Sequence, residues 1–124
     1  MPCGRHIILE CYDCDEELLK KEKFLEQQLT QSAEFANATI LHSYFHKFEE
    51  GSGVTGLIAL AESHISVHTW PEYRYMAIDI FMCGECNPMD SVDYIISNLQ
   101  IGQFEYQEIT RGEQFEFRSE EHTS

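Results

Sequence analysis

The sequence predicts an α+β two-layer sandwich, in which a mostly antiparallel sheet carries two helices on one face. Three observations predict this class. Two segments have helical spacing of apolar residues, six have the alternation or length of strands, and their order is β-α-β-β-β-β-α-β. Hairpins in the middle of this order, in place of strict βαβα alternation, favour antiparallel pairing. At 124 residues the chain has the size of one domain, so a single domain is expected over residues 1–124.

The first strand is predicted over residues 5–12, where apolar residues alternate with His6 and Glu10. Asp13 or Asp15 is expected to cap the segment that follows. That segment is predicted to be a surface helix of about five turns. Its apolar residues recur at helical spacing, namely Leu18, Leu25, Leu29, Ala33 and Ala36.

Residues 39–48 alternate and predict the second strand, with Leu41 and Phe45 on one face and Tyr44 and Phe48 on the other. A glycine-rich turn at 49–53 joins it to the apolar run 54–61, so the two strands are predicted to form a hairpin.

Two further strands are predicted over residues 65–70 and 73–83. Pro71 is expected to end the first of them, because proline removes a donor from the strand ladder.

The second helix is predicted to begin at Asn87 and Pro88, an N-cap residue before a proline at the first helical position, and to end at Gly102. Its inner face would carry Val92, Ile95, Ile96 and Leu99. A last strand is predicted from the alternation of Phe104, Tyr106 and Ile109, and the tail over residues 119–124 is polar and expected to be loose.

One face of this sheet would remain without a covering layer. It carries apolar and aromatic residues such as Ile8, Tyr44 and Phe48. Self-association is the simplest way to cover them, so a homo-oligomer is expected.

Composition narrows the class of function. Eight basic against twenty-two acidic residues give a formal charge of −14, which disfavours nucleic acid and anionic membranes and favours cationic ligands. No apolar run approaches the roughly 20 residues that span a bilayer, and the N-terminus lacks a signal-peptide pattern, so a cytoplasmic location is expected. Five cysteines without an export signal predict reduced thiols.

Residues 61–72 are dense in polar groups between two apolar strands, which is typical of a functional site. A hydrolase interpretation would make Ser63 or Ser66 the nucleophile and His64 or His68 the base, but the Gly-x-Ser-x-Gly pattern is absent. Alternatively, the histidines are ordinary residues of a strand surface, and the same holds for His42 and His46 on the second strand.

Two Cys-x-x-Cys pairs, Cys11/Cys14 and Cys83/Cys86, have the internal spacing of zinc ligands. However, 68 residues lie between the pairs, compared with the roughly 15–20 of a zinc ribbon. Buried or surface thiols are the alternative for Cys3, Cys11, Cys14 and Cys86.

A longer pattern resembles a known family. Ser63-His64, the string Ser-Val-His-Thr-Trp-Pro-Glu-Tyr at residues 66–73, and Asp-Ile-Phe-Met-Cys-Gly at 79–84 are similar to the signature of the prokaryotic S-adenosylmethionine decarboxylases. Further matches are Gly4-Arg5-His6 with Glu10 and Tyr12, His46-Lys47-Phe48, residues 53–56 and Arg111-Gly112. The resemblance runs from about residue 4 to residue 112.

The resemblance implies that the chain cuts itself between Glu62 and Ser63. The products would be residues 1–62 and residues 63–124, with Ser63 converted into a pyruvoyl group. Serine suits this chemistry because it has a β-oxygen leaving group and an α-proton. His68 would transfer protons during cleavage, as its near-neutral pKa allows. The assisting serine of the family corresponds to Thr55, which keeps the hydroxyl on a stiffer side chain.

The resemblance also implies the roles of the remaining site residues. The pyruvoyl group would take the substrate's amine as a Schiff base and act as the electron sink, so neither pyridoxal phosphate nor a metal is expected. Cys83 would donate a proton to the decarboxylated carbon. Glu72 would hold the ribose hydroxyls, Phe48 would stack on adenine, and Glu10 would face the cationic part of the ligand.

The function implied is decarboxylation of S-adenosylmethionine for spermidine biosynthesis, by at least a dimer with active sites at or near its interface. Pyruvoyl-dependent decarboxylation of arginine or ornithine is the alternative substrate choice. It is suggested by three departures from the family: Thr55 in place of serine, Arg74 in place of a glycine, and a longer loop at Glu49-Glu50. A non-catalytic zinc-binding or regulatory subunit is the alternative of another class.

Overall fold

The predicted order of elements is found in the computed structural model, which describes residues 4–114. The strands are β1 (Gly4–Cys14), β2 (Ile40–Lys47), β3 (Val54–Leu60), β4 (Ser63–Trp70), β5 (Tyr75–Cys83) and β6 (Ile101–Arg111). The helices are α1 (Glu22–Phe35) and α2 (Pro88–Asn98). The strands pair antiparallel in the order β2-β3-β4-β5-β1-β6, which confirms the α+β prediction.

Both helices contribute their apolar sides to a core shared with one face of this sheet. Buried and less buried residues alternate along the strands, so one face of the sheet packs into the core. In β5, for example, every second residue from Met76 to Met82 is buried. We call the opposite side of the sheet the outer face. Large side chains lie exposed there, among them Tyr44, Leu57 and Trp70. Over residues 4–114, the helices are too short or too polar to cross a membrane.

The start of α1 differs from the prediction. Leu18 belongs to a separate 3-10 turn (Leu18–Lys20), and α1 begins only at Glu22, after Lys21 adopts an extended conformation. Asp15, one of the two expected caps, accepts the backbone N–H groups of Glu17 and Leu18. It therefore caps the 3-10 turn, and α1 has 14 residues, about four turns.

The predicted faces of β2 are wrong at Leu41. Ile40 pairs with Leu60 and His42 with Ala59, so Leu41 is the extra residue of a β-bulge. The bulge leaves Leu41 exposed and lets Ile40 pack against the core, while Phe45 stays buried as the pattern predicts.

The predicted start of α2 is confirmed, because the Asn87 side chain accepts the N–H of Met89 and Pro88 opens the helix. Its predicted end at Gly102 is wrong. The helix ends at Asn98, and Gln100 takes the left-handed conformation, with φ of 52°. Gly102 lies inside β6, where a Cβ would contact Asp13. Cys3 and the tail at 119–124 lie outside the described residues.

Candidate active site

The predicted site residues fall into two groups at opposite ends of β4. Ser63 opens the strand and His68 lies five residues further on, so their Cα atoms are about 16 Å apart. We call the end with Ser63 the cleavage end and the end with His68 the hairpin end.

At the cleavage end, Ser63 lies beside the end of β5. Leu60 pairs with Ser63 across a turn formed by Ala61 and Glu62, so the predicted scissile bond joins this turn to β4. The Cys83 backbone N–H donates to Ser63 Oγ at 3.1 Å. Antiparallel pairing of β4 with β5 causes this meeting, because the start of one strand faces the end of the other.

Gly4 on β1 completes the cleavage end. It pairs with Cys83, and a Cβ at this position would lie 3.4 Å from Cys83 Sγ and clash with the Phe81 ring. The absence of a side chain on Gly4 therefore leaves room for the Phe81 ring next to Cys83.

At the hairpin end, Thr55 and His68 face each other across β3 and β4 on the outer face. They are paired in register, and Thr55 Oγ1 lies 3.0 Å from His68 Nδ1. The hydroxyl of Thr55 is thus within hydrogen-bond distance of the His68 ring. Both residues line a cavity of about 320 Å³ with Phe48, Ser52, Gly53, Thr69, Trp70 and Glu72.

Thr69 holds the hairpin end together, a role that the sequence pattern did not indicate. Its buried Oγ1 accepts the N–H of Val54 at 2.9 Å and donates to the carbonyl of Leu19 at 2.8 Å. A Cβ on Gly53 would clash with the Thr69 carbonyl, so only glycine permits this approach of the β2–β3 loop. The loop that carries Phe48 is thus attached to the strand that carries His68.

Glu10 lies in the same transverse row as Thr55 and His68, since it pairs with Ala77 and Ala77 pairs with His68. The Tyr75 hydroxyl donates to its carboxylate. Burial and then this carboxylate raise the pKa of Tyr75, so the phenol stays protonated. Tyr75 also stacks between Tyr12 and Trp70, at centroid distances of 5.5 and 5.3 Å, and links Glu10 to the hairpin end.

Arg74 does not reach Glu72. Its Nε donates to the Cys14 carbonyl at 2.8 Å, and the Cys14 N–H donates back to the Arg74 carbonyl at 3.0 Å. Over residues 4–114, Arg74 and Glu72 form no ion pair. Arg74 has φ of 52°, in the left-handed region that favours glycine. This conformation explains why a glycine would suit the position.

Between the two ends, the outer face carries a polar cluster of His6, His64, Ser66 and Asp79. His6 Nε2 lies 3.4 Å from Asp79 Oδ1, and the rings of His6 and His64 are 6.5 Å apart. Burial, followed by the neighbouring His6, lowers the pKa of His64. The alternation of β1, β4 and β5 predicts that these residues share a face, but only the register brings them together.

The two Cys-x-x-Cys pairs lie at opposite ends of β1. Cys83 is opposite Gly4, whereas Cys11 is seven residues further along that strand, about 23 Å away. Burial raises the pKa of the Cys14 thiol to about 11 and raises that of Cys11 as well, so both remain protonated. A single tetrahedral zinc site cannot use both pairs within one chain.

Comparison with known proteins shows which family this sequence resembles over most of its length. A sequence profile of the family described as S-adenosylmethionine decarboxylase matches residues 5–112. The S-adenosylmethionine decarboxylase proenzyme of Methanococcus aeolicus is 43% identical over 114 residues, covering 91% of this chain and 97% of the relative. That of Caldicellulosiruptor saccharolyticus is 41% identical over 110 residues, covering 88% of each.

A solved structure shows the same fold. The crystal structure of the adenosylmethionine decarboxylase from Aquifex aeolicus VF5 superposes with a TM-score of 0.81 at 32% identity, covering 90% of this chain and 92% of the other.

Proposed function

Because this chain belongs to the S-adenosylmethionine decarboxylase family, we propose that it is a proenzyme that cuts itself between Glu62 and Ser63 and then decarboxylates S-adenosylmethionine. The observation that carries the proposal is the position of Ser63, which directly follows a two-residue turn and has its hydroxyl held by the Cys83 amide. The product would be the aminopropyl donor of spermidine biosynthesis.

Cleavage begins when Ser63 Oγ attacks the Glu62 carbonyl carbon. The C–N bond breaks, an ester forms, and the hydroxyl proton ends on the Ser63 nitrogen. β-Elimination then releases the carboxylate of residue 62 and leaves dehydroalanine, which water converts to a pyruvoyl group with loss of ammonia. Residues 1–62 and 63–124 stay in one domain, because β3 and β4 remain paired from Thr55/His68 to Leu60/Ser63.

The pyruvoyl carbonyl supplies the electron sink for loss of carbon dioxide from a substrate amine. In this proposal, Cys83 has the task of returning a proton to the substrate carbon, and this role is supported by the backbone N–H of Cys83, which donates to Ser63 Oγ at 3.1 Å. The protein's net charge of −14 attracts the cationic sulfonium substrate.

The hairpin end supplies proton transfer and substrate binding. His68 and Thr55 form the hydroxyl–imidazole pair, and Glu72 and Phe48 border the same cavity. A carboxylate can accept the two ribose hydroxyls, and an exposed aromatic ring can stack on adenine. Glu10 lies two strands away from His68 in the same row, and its carboxylate accepts a hydrogen bond from Tyr75. In this proposal it faces the cationic part of the ligand from the far side of the row.

One chain keeps the two ends about 16 Å apart, so we place the complete site between two copies. Two outer faces related by a two-fold axis, with their β4 strands antiparallel, bring the cleavage end of each copy to the hairpin end of the other. Such pairing also covers Tyr44, which is 60% exposed, and Leu57, which is 49% exposed.

Two variants test the chemistry. Ser63→Ala should remain a single chain on a denaturing gel and by intact mass, whereas Cys83→Ala should be cleaved but lose most turnover. Cleavage of Ser63→Ala between residues 62 and 63 would refute the mechanism.

Carbon dioxide release from labelled S-adenosylmethionine, arginine and ornithine is measured in parallel. Carbon dioxide release from arginine alone would mean that arginine, and not S-adenosylmethionine, is the substrate.

Co-expression tests the shared site. Ser63→Ala and His68→Ala chains, each inactive alone, should together cleave the His68→Ala chain, because its Ser63 meets an intact His68 of the partner. Distinguishable tags identify the cleaved chain by mass. If the mixture stays uncleaved while it forms mixed dimers, the site lies within one chain and the two-copy arrangement is wrong.

S-Adenosylmethionine is favoured over arginine or ornithine by two observations. Thr55 keeps a hydroxyl 3.0 Å from His68 Nδ1, and Arg74 donates to the Cys14 carbonyl and so does not neutralise Glu72. The zinc-binding alternative loses support from the separation of the two cysteine pairs.

A further inference from the structure

We propose that Glu62 promotes cleavage of its own peptide bond through its backbone, which holds a left-handed conformation whose strain is released when the bond is cut. The inference rests on the proposed function, because it concerns the self-cleavage step. It assigns to Glu62 a role as a positioning residue, independent of its carboxylate.

The strain lies in the turn between β3 and β4. Glu62 has φ of 58°, whereas Ala61 is not among the residues with positive φ. Positive φ at the second central residue alone is the pattern of a type II turn, in which this position favours glycine. For a residue with a Cβ, the left-handed region is disfavoured by a factor of about 5 to 30.

The surroundings prevent the turn from relaxing. The Ala61 N–H donates to the Thr39 carbonyl at 2.9 Å, and the Cys83 N–H donates to Ser63 Oγ at 3.1 Å. The turn is therefore attached on both sides of Glu62. The Glu62 side chain is exposed and makes no hydrogen bond or ion pair with residues 4–114, so it does not compensate for the strain.

This strain acts on the first step of cleavage. The step exchanges an amide and a hydroxyl for an ester and an amine, with no other reactant, and an unstrained amide is the more stable side. Once the C–N bond is broken, Glu62 is linked to Ser63 only through the ester on the Ser63 side chain, a longer connection that lets the Glu62 backbone leave the left-handed region. The strain in the Glu62 backbone, which is present only while the amide is intact, therefore shifts the equilibrium toward the ester. Elimination then proceeds from the ester.

The chain offers a matched control at Gln100. It is also a non-glycine residue in the left-handed region, with φ of 52°, and it is exposed between α2 and β6. Gln100→Gly relieves the same kind of strain at a distance from Ser63. It separates a local effect on the scissile bond from a general effect on stability.

The experiment follows the cleaved fraction of the full chain over time, by denaturing gel and intact mass, for wild type, Glu62→Gly, Glu62→Ala and Gln100→Gly. We expect Glu62→Gly to cleave about 5 to 30 times more slowly than Glu62→Ala, which also lacks the carboxylate but keeps a Cβ. Gln100→Gly should cleave at the wild-type rate.

The melting temperature of the same variants in a Ser63→Ala background provides a second readout, since Glu62→Gly should melt at or above Glu62→Ala. Equal or faster cleavage by Glu62→Gly, or a lower melting temperature, overturns the inference. If wild type cleaves and the two Glu62 variants match, only this inference fails. If wild type never cleaves, the proposed function fails with it.

Discussion

Under the proposed function, Thr55 takes the place of the family's assisting serine beside His68. The hydroxyl of Thr55 lies 3.0 Å from His68 Nδ1, and its added methyl group restricts χ1. A restricted rotamer suits a hydroxyl that must hold one position. The proposal therefore predicts that Thr55 and serine are interchangeable in the proton-transfer pair.

Exchange of Thr55 tests this equivalence. Thr55→Ser should cleave within a fewfold of wild type, whereas Thr55→Val, which keeps the shape but lacks the hydroxyl, should slow cleavage by up to about 100-fold, the lower range for a positioned proton-transfer group. The rates come from time courses of intact mass. A Thr55→Val chain that cleaves as fast as Thr55→Ser would remove Thr55 from the site.

Arg74 adopts a left-handed conformation that a glycine would take without strain. Arg74→Gly should relieve the left-handed backbone and lose the bond to the Cys14 carbonyl, two effects of about 1 kcal/mol each that offset one another. Arg74→Ala loses the bond and keeps the strain, so it should be destabilised by about 1 kcal/mol. Urea unfolding in the Ser63→Ala background measures both.

Substrate choice should not change in either Arg74 variant, because Arg74 is directed at Cys14 and not at Glu72. A shift of activity from S-adenosylmethionine toward arginine in Arg74→Gly would show that Arg74 acts in the binding site after all.

At the scale of elements, the β2–β3 loop depends on Thr69 for its position. The Thr69 hydroxyl joins Val54 at the start of β3 to Leu19 in the 3-10 turn, so one side chain connects the sheet to the helical layer. Burial at 6% exposure excludes water as a substitute partner.

Thr69→Val should therefore destabilise the chain by about 1–3 kcal/mol, because it leaves the Val54 N–H and the Leu19 carbonyl without partners. Thr110→Val on the exposed part of β6 is the control and should change stability by less than about 0.5 kcal/mol. Both are measured by denaturant unfolding in the Ser63→Ala background. Equal stabilities would mean that Thr69 does not anchor the loop.

At the scale of the whole molecule, the outer face combines exposed apolar residues with the cluster of His6, His64 and Asp79. Burial and the neighbouring His6 lower the pKa of His64, while Asp79 opposes the shift. The neutral imidazole is therefore favoured in the folded protein. Pairing of two outer faces would remove these groups further from water and strengthen the same preference.

This preference predicts a dependence of stability on pH. Above about pH 6.5 His64 is neutral in both states; as pH falls below its ordinary pKa of 6.5, the unfolded chain binds the proton first, and the folded state loses stability. His64→Asn should lose less melting temperature than wild type between pH 7 and pH 5.5. Scanning calorimetry on the cleaved protein measures this, and parallel losses would contradict it.

The sequence by itself determined the order of the elements and the start of α2 at Asn87, and it supplied the prediction that Ser63 is the reactive residue. These features depend on neighbouring residues, through periodicity, capping chemistry and a local motif. The break before α1 and the bulge at Leu41 depend on how Leu19 and Ile40 reach the core, so the local pattern did not show them.

Only the tertiary structure decided where the site residues lie relative to one another. The motif places Ser63 and His68 five residues apart, but the extended path of β4 puts them at opposite ends of that strand, with Ser63 opposite Leu60 and His68 opposite Thr55 on β3. Strand pairing also set the conformations of Glu62 and Arg74, which are left-handed because the turns must close between paired strands. Register and turn closure are long-range properties, so local spacing could not supply them.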